Sequence, residues 1–207
     1  KTTLARALTG LISCDGTVTF DGAALGGMAP RARARAISYL PQGHEFHWPM
    51  RVDNIVALGR EPHADPFARQ SADDRTAIAR AMAATAIEDF APRLISTLSG
   101  GERARVAIAR ALATEAAALI ADEPTASLEE RHRLMVMELL QRVAHGGAAG
   151  LAIIPDLTLA MRFADRVRRI DAVVDRENAE RTRIEPRVVA DVVGGGPDPN
   201  RAPYDAE

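Results

Sequence analysis

The chain has 207 residues, 47% of them hydrophobic, which is enough to bury a core in one domain or in one domain with a subdomain. The formal net charge of −2, from 26 basic and 28 acidic residues, does not favour nucleic acid or an anionic membrane as the main partner. No apolar run is long enough to cross a bilayer, and no signal-peptide pattern opens the chain. Cys14 is the single cysteine, which excludes an internal disulfide and fits a reducing compartment.

The first residue is lysine rather than methionine, so we expect the chain to be a fragment of a longer protein. Lys1 is also the only lysine, since every other basic residue is arginine. A short helix is predicted from Lys1 to Leu8, because Leu4 and Leu8 lie four residues apart on one face. Lysine followed by threonine at a helix start suits phosphate, because the free N–H groups and the positive dipole end point at the ligand. On three such residues alone, an ordinary N-terminal tail is the better interpretation.

The next segments are short. We predict strands at Thr17–Phe20 and Ile37–Leu40, and Asp21-Gly22 is a strong signal for a hairpin turn. The alternating arginines and alanines of Arg31–Arg35 predict a solvated helical face. Residues 43–97 change character and read as helical and polar.

A capped helix is the clearest feature of residues 43–97. Ser71 is a candidate N-cap, and Asp74 three residues later completes a capping box. We predict that this helix runs to about Phe90 and that Pro92 closes it.

The second half alternates helices with apolar strands, which argues for a largely parallel sheet in an α/β domain. The tail after Gly196 contains three prolines and little apolar content, so we expect it to be disordered. In chain order we predict a glycine turn at Ser99–Gly101, a helix to about Thr114, a buried strand at Ala117–Ala121, a helix at Leu128–His145, a strand at Leu151–Ile154, a helix at Asp156–Ala164 and a last strand pair at Val167–Val174 and Arg183–Val189.

Two segments carry chemistry. Ser99, Gly100 and Gly101 stand just before a helix, so bare backbone N–H groups can be approached closely by an anion. Asp122 and Glu123 follow a buried strand, and such positions lie beside the ligand crevice of a doubly wound sheet. A helix-start turn and an exposed acidic pair are the plain structural alternatives.

Together these segments resemble the ATP-hydrolysing subunit of an ABC transporter. Leu98–Glu102 is similar to the family's signature motif, usually LSGGQ, with Glu102 in the last place. Ala117–Glu123 is similar to Walker B followed by the catalytic glutamate, and Lys1, Thr2 and Thr3 are similar to the end of the P-loop. The motifs occur in the family's order, and the resemblance covers roughly Lys1 to Val174.

The resemblance implies an α/β fold: a P-loop NTPase nucleotide-binding core with a small antiparallel β part and an inserted helical subdomain. We expect residues 1–42 to be a partial nucleotide-binding core that starts inside Walker A, and residues 43–97 to be the helical subdomain. Residues 98–174 would complete the core, and residues 175–207 would form a C-terminal segment. The loop glycines, their strand and the adenine-stacking aromatic of the family would lie upstream of Lys1, so we expect this fragment to bind ATP poorly.

Roles at the nucleotide follow from the resemblance. ATP and Mg²⁺ are the implied cofactors, with Lys1, Thr2 and Thr3 at the phosphates and Thr2 also on Mg²⁺. Asp122 would hold Mg²⁺, and Glu123 would polarise the attacking water as general base.

Further roles lie in loops. Gln42 resembles the Q-loop glutamine, which contacts Mg²⁺ and the attacking water. Ser99, Gly100, Gly101 and Glu102 would face the ATP of a second copy. Ala126–Glu129 resembles the D-loop, usually SALD, with Glu129 in place of aspartate.

One position departs from the family. A histidine is expected after the strand Leu151–Ile154, yet residue 155 is proline, which has no side-chain donor and no backbone N–H. We therefore expect weak or absent hydrolysis. None of the five histidines replaces it, and His44 and His47 alone do not make a metal site.

The implied partners are membrane permease subunits, a second copy of the ATPase subunit and, indirectly, a substrate-binding protein, at the cytoplasmic face of the inner membrane and peripheral to it. Trp48–Val52 through Gly59-Arg60 resembles importers of iron chelates, haem and vitamin B12, which suggests an importer of a metal chelate or related cofactor. Two alternatives stay open: a soluble ABC-type ATPase that acts on ribosomes or DNA, and a decayed, non-catalytic relative. We expect no nucleic-acid partner.

Overall fold

A computed structural model of the chain describes residues 1–43, 46, 48–65 and 69–168, together with the backbone of 189–192. His44, His47, most of the predicted final strand pair and the C-terminal tail lie outside these residues. The elements are α1 (Thr2–Leu8), β1 (Thr19–Phe20), β2 (Ala23–Ala24), α2 (Pro30–Ala36), β3 (Ile37–Leu40), α3 (Val52–Ala57), α4 (Ala72–Ala84), α5 (Gly100–Leu112), β4 (Ala118–Asp122), α6 (Glu130–His145), β5 (Ala149–Ile153), α7 (Leu157–Phe163), β6 (Arg166–Arg168) and β7 (Val189–Val192).

The main sheet has the strand order β3-β4-β5-β7-β6. Strands β3, β4 and β5 are parallel, whereas β7 runs antiparallel to both of its neighbours. Leu40 pairs with Ala121, and Asp122 pairs with Ile153. The carboxyl ends of the three parallel strands therefore meet at one edge, which confirms the predicted α/β fold with a largely parallel sheet.

A second, two-stranded sheet forms the small antiparallel part. Strands β1 and β2 pair antiparallel, with Thr19 opposite Ala24 and Phe20 opposite Ala23. Asp21 and Gly22 both have positive φ, at 52° and 78°, which a two-residue hairpin of type I′ requires. The predicted hairpin turn is confirmed.

The two faces of the sheet are covered by separate apolar clusters, because successive strand residues point to opposite faces. Along β4, Leu119 and Ala121 belong to the larger cluster with α3, α5 and α6, whereas Ile120 belongs to a smaller one under α1. Within the described part of the chain, no helix is both long and apolar enough to span a membrane.

Helix α4 begins as predicted and ends early. The Ser71 hydroxyl accepts from Asp74 N at 3.0 Å, and Asp74 Oδ2 accepts from Ser71 N at 3.0 Å. The predicted run to Phe90 is wrong: α4 ends at Ala84, because Ala86 takes a left-handed φ of 50°. A separate 3₁₀ turn then spans Glu88–Phe90.

Four charged side chains, Arg60, Asp74, Arg80 and Glu115, are here named the Arg60 cluster. Arg60 Nε donates to Asp74 Oδ1 at 2.8 Å, and Arg60 Nη1 donates to Glu115 Oε2 at 3.0 Å and to Ala113 O at 2.9 Å. Arg80 binds the other Glu115 oxygen. The Ser71 hydroxyl first, and then Arg60, lower the pKa of Asp74 to about 2. The cluster ties α4 to the loop that enters β4.

Gly59 explains how Arg60 reaches that loop. A Cβ at Gly59 would lie 2.1 Å from the carbonyl oxygen of Arg110 on α5, so only glycine permits this approach. The chain after α3 is thereby seated directly on α5.

Candidate functional site

Four of the predicted site residues, Lys1, Gln42, Asp122 and Glu123, lie at the carboxyl edge of the parallel strands and are here named the carboxylate edge. Asp122 ends β4 and is fully buried. Glu123 takes a left-handed φ of 46°, and its N–H donates to Ile153 O at 2.9 Å. The backbone is thus turned out of the strand between the two carboxylates while it stays anchored to β5.

Two side chains converge on Glu123. Gln42 Nε2 donates to Glu123 Oε2 at 2.9 Å. Lys1 Nζ lies 3.7 Å from Glu123 Oε1, with 43% of the lysine side chain and 20% of the glutamate side chain exposed. Residues 1, 42 and 123, far apart in sequence, are thereby brought to one place.

Asp122 is held differently. The Tyr39 hydroxyl donates to its Oδ2 at 3.3 Å, whereas its Oδ1 is buried with no hydrogen-bond partner among the described residues. A buried, unpaired carboxylate oxygen is costly unless a ligand uses it, and Mg²⁺ prefers oxygen ligands. The donor set of Asp122, Gln42 and Thr2 fits Mg²⁺ in its chemistry. Thr2 is half-buried in the first turn of α1, and Thr3 is exposed.

Sequence reasoning missed Tyr39, although the strand pattern contains a signal. Tyr39 pairs with Ile120 in the sheet, and Asp122 lies two residues farther along β4, on the same face. Burial, followed by the charge of Asp122, raises the pKa of the Tyr39 hydroxyl, and Arg6 opposes this. The hydroxyl is therefore the donor at neutral pH.

The signature turn, Ser99–Glu102, forms the N-terminus of α5. Glu102 Oε2 accepts from Ser99 N at 2.7 Å, and the Ser99 hydroxyl accepts from Glu102 N at 3.3 Å, which is a capping box. The Ser99 backbone N–H is the main cause of a lowered pKa at Glu102. Glu102, which was predicted to face a partner's nucleotide, is used within its own turn.

The two glycines of the signature turn differ. A Cβ at Gly101 would lie 2.4 Å from the His132 ring, so this glycine lets α6 pack against the turn. Gly100 is exposed, and no described atom lies within 4 Å of its Cβ position. Between described residues, no hydrogen bond or ion pair links this turn to the carboxylate edge.

The predicted D-loop and the residue that follows β5 both reach the surface. Ser127, in the predicted D-loop, is exposed with a φ of 60°, and Leu128 beside it is buried. Pro155 is exposed and follows Ile154, which is 1% exposed. Since Ile153 binds the Glu123 backbone, Pro155 lies at the same end of the sheet as the carboxylate edge.

Comparison with known proteins decides the family. A family profile described as ABC transporter matches residues 1–126, which include all the residues of the carboxylate edge and the signature turn. The chain belongs to the ABC transporter family.

Two curated relatives of this ABC transporter family chain are named as import proteins. It is 40% identical over 169 residues to the "Cobalamin import ATP-binding protein BtuD" of Halobacterium salinarum, and this match covers 81% of the chain and 42% of the relative. It is 40% identical over 168 residues to the "Hemin import ATP-binding protein HmuV" of Streptomyces coelicolor, with coverages of 81% and 59%. The chain thus spans about half the length of these relatives.

Solved structures agree on the ABC cassette fold. A chain of a metal-chelate type ABC transporter in an inward-facing conformation is 28% identical, with a TM-score of 0.56 over 67% of this chain and 51% of that chain. A dimeric bacterial ABC transporter cassette is 24% identical, with a TM-score of 0.66 over 80% of this chain and 73% of that chain, and this likeness shows the fold alone.

Proposed function

We propose that this protein is the ATP-binding and ATP-hydrolysing subunit of an ABC importer of a metal chelate or a related cofactor. The observation that carries the proposal is the carboxylate edge, where Lys1 and Gln42 converge on Glu123, beside an Asp122 oxygen that no described residue pairs. Neither a helix-start turn nor an exposed acidic pair accounts for a fully buried aspartate whose Oδ1 has no hydrogen-bond partner among the described residues.

Each residue of the edge has a place in phosphoryl transfer to water. Lys1 would hold the β- and γ-phosphates with the N–H groups that open α1, where Thr2 and Thr3 lie. Asp122, Thr2 and Gln42 would hold Mg²⁺, which neutralises charge on the phosphates when bound. Glu123 would accept a proton from the attacking water while Gln42 orients its carboxylate.

The signature turn supports a function in pairs. Ser99, Gly100 and Gly101 would bind the ATP held by a second copy, and the open space at Gly100 suits that approach. Glu102 would serve by shaping the turn, since its carboxylate caps the helix. The absence of a link from this turn to the carboxylate edge, among described residues, is consistent with sites shared between copies.

The transport role rests on the relatives. Their names refer to hemin and cobalamin import, which supports permease subunits and, indirectly, a substrate-binding protein as partners. We place the subunit on the cytoplasmic face of the inner membrane, peripheral to it. Residues 43–97 would be the helical subdomain between residues 1–42 and 98–174, and the Arg60 cluster would fasten it to the loop before β4.

Pro155 supports slow ATP hydrolysis. One positioned donor to the transferred phosphate is worth roughly 3 kcal/mol, which is about a 100-fold change in rate, and proline has no donor to offer. A decayed relative that only binds a partner is the second candidate, and Pro155 is the observation that favours it.

The deciding experiment measures Mg²⁺-dependent ATP turnover by the protein, expressed with any residues that precede Lys1, beside its Pro155→His variant. We expect slow turnover by the wild type and an increase of about 100-fold in the variant. Turnover by both at the same rate would show that the proline is tolerated. ATP binding with no turnover by either would favour the binding-only candidate.

A separate experiment tests the partner. Affinity-tagged protein from its own cells, solubilised in mild detergent, should co-purify with membrane permease subunits. Co-purification with ribosomes or DNA instead would overturn the transport role and leave the ATPase proposal standing.

A further inference from the structure

Tyr39 supplies the hydrogen bond that fixes the carboxylate of Asp122. Its hydroxyl lies 3.3 Å from Oδ2, and the other oxygen of this fully buried carboxylate has no partner among the described residues. An ionised carboxylate without any donor is costly to bury. The Tyr39 hydroxyl is therefore the donor that orients the Asp122 carboxylate.

The register of the sheet makes this contact specific. Tyr39 is the third residue of β3 and stands opposite Ile120 on β4, so its side chain reaches along the strand to Asp122 on the same face. Ser38, its neighbour, points to the other face, where its hydroxyl donates to Ala111 O at 2.9 Å on α5. Adjacent residues of β3 thus carry two hydroxyls with different targets.

Tyr39 is itself placed between two elements of the site. The Arg6 side chain of α1 lies near enough to oppose the rise in the pKa of its hydroxyl, and α1 begins with Lys1 and Thr2 and packs on β4. The phenol therefore lies between the helix assigned to phosphate and the carboxylate assigned to Mg²⁺. A displacement of α1 would be felt at Asp122 through this side chain.

We propose that Tyr39 is a positioning residue that holds Oδ2 of Asp122, so that Oδ1 is the oxygen available to the Mg²⁺ of the bound nucleotide. This inference rests on the proposed function and deepens it. Without the hydroxyl, Oδ2 would also lose its donor, so neither carboxylate oxygen would have one among the described residues and the group would be free to rotate. Loss of such a supporting hydrogen bond weakens metal binding by about 10-fold or more in known metal sites.

The first test measures the affinity for Mn²⁺, used as a probe for Mg²⁺, from its electron paramagnetic resonance signal in the presence of ATP. We expect Tyr39→Phe to weaken Mn²⁺ binding by about 10-fold and to leave ATP affinity in EDTA unchanged. Ser38→Ala, which removes the buried hydroxyl of the neighbouring residue, should leave Mn²⁺ affinity unchanged. Equal Mn²⁺ affinities of the wild type and Tyr39→Phe, or equal losses in both variants, would overturn the proposal.

The second test needs neither metal nor nucleotide. The midpoint of urea unfolding is measured for Tyr39→Phe, Asp122→Asn and the double variant, and the double variant should shift by less than the sum of the single shifts, because the two residues share a bond. Ser38→Ala combined with Asp122→Asn should be additive. If the shifts of Tyr39→Phe and Asp122→Asn are additive while the wild type binds Mn²⁺ normally, the role of Tyr39 is refuted and the proposed function stands. If the shifts of the Tyr39 and Asp122 variants are coupled but the wild type binds no Mn²⁺ in the presence of ATP, both the proposed function and the metal role of Tyr39 are refuted.

Discussion

The carboxylate edge and the Arg60 cluster each gather acidic and basic groups from distant segments, but they treat carboxylate oxygens differently. In the Arg60 cluster, all four oxygens of Asp74 and Glu115 accept hydrogen bonds from the protein. At the carboxylate edge, Oδ1 of the buried Asp122 accepts none from the described residues. The carboxylates of the Arg60 cluster are satisfied by protein donors, whereas an unpaired buried carboxylate oxygen is a candidate for binding a ligand.

The largest expected effect comes from removing one carboxylate charge in each region. Glu123→Gln should lower ATP turnover by about 100-fold or more, because a general base typically contributes that much, and should retain ATP binding. Glu115→Gln is the matched control: we expect it to cost about 2 kcal/mol of stability, because it leaves a buried arginine short of an acceptor. Turnover assays and urea unfolding of both variants measure the two effects.

The reverse pattern would break the comparison. If Glu115→Gln lost turnover without losing stability, the Arg60 cluster would belong to the catalytic machinery. If Glu123→Gln kept normal turnover, another group would have to act as the base.

A smaller effect is expected from Asp74→Asn, at about 2 kcal/mol of stability at neutral pH. The pKa of Asp74 is lowered to about 2 in the folded state, below an unfolded value of about 3.9, so its contribution is complete above the unfolded value and is lost as pH falls through the folded one. Urea unfolding from pH 7 to pH 2 should therefore show wild type and variant converging below about pH 4.

Asp73 provides the control for that experiment. It is the exposed neighbour of Asp74 in the first turn of α4, so Asp73→Asn should change stability by less than about 0.5 kcal/mol. If the difference in the free energy of unfolding between wild type and Asp74→Asn stayed constant across the acid range, the contacts with Ser71 and Arg60 would not be lowering the pKa of Asp74.

The smallest effect concerns the two capping boxes, which share one local geometry and differ in location. Ser71→Ala and Ser99→Ala should each cost about 1 kcal/mol in thermal unfolding, because each loses a helix N-cap. Only Ser99→Ala should also reduce ATP turnover, since Ser99 is proposed to face the nucleotide of a second copy. Equal turnover by the two variants would reduce the signature turn to a structural cap.

Local features were predictable from the sequence. The capping box of Ser71, the helix that follows the turn at Ser99–Gly101, the hairpin at Asp21-Gly22 and the strand Ile37–Leu40 depend on residues within a few positions of one another, and the structure confirms them. The fold class and the family also followed from the order of the motifs.

Tertiary features were not predictable in the same way. The end of α4 depends on a left-handed conformation at Ala86, and alanine is not a residue type from which such a conformation is predicted. The burial of Arg60 depends on Glu115 and Asp74 arriving from other elements, and the bond of Tyr39 to Asp122 depends on strand register. The roles of Lys1, Gln42, Asp122 and Glu123 came from the resemblance, and the structure adds their proximity; the roles themselves remain predictions.

The position of Trp48 gives the molecule an optical property. It is the only tryptophan, its side chain is 74% exposed, and it lies six residues after Gln42, the side chain that binds Glu123. Its fluorescence should therefore be solvent-relaxed in the free protein and shift to the blue when a partner covers this surface. No dye is needed, since the indole itself would report in real time whether a partner has covered the surface at Trp48.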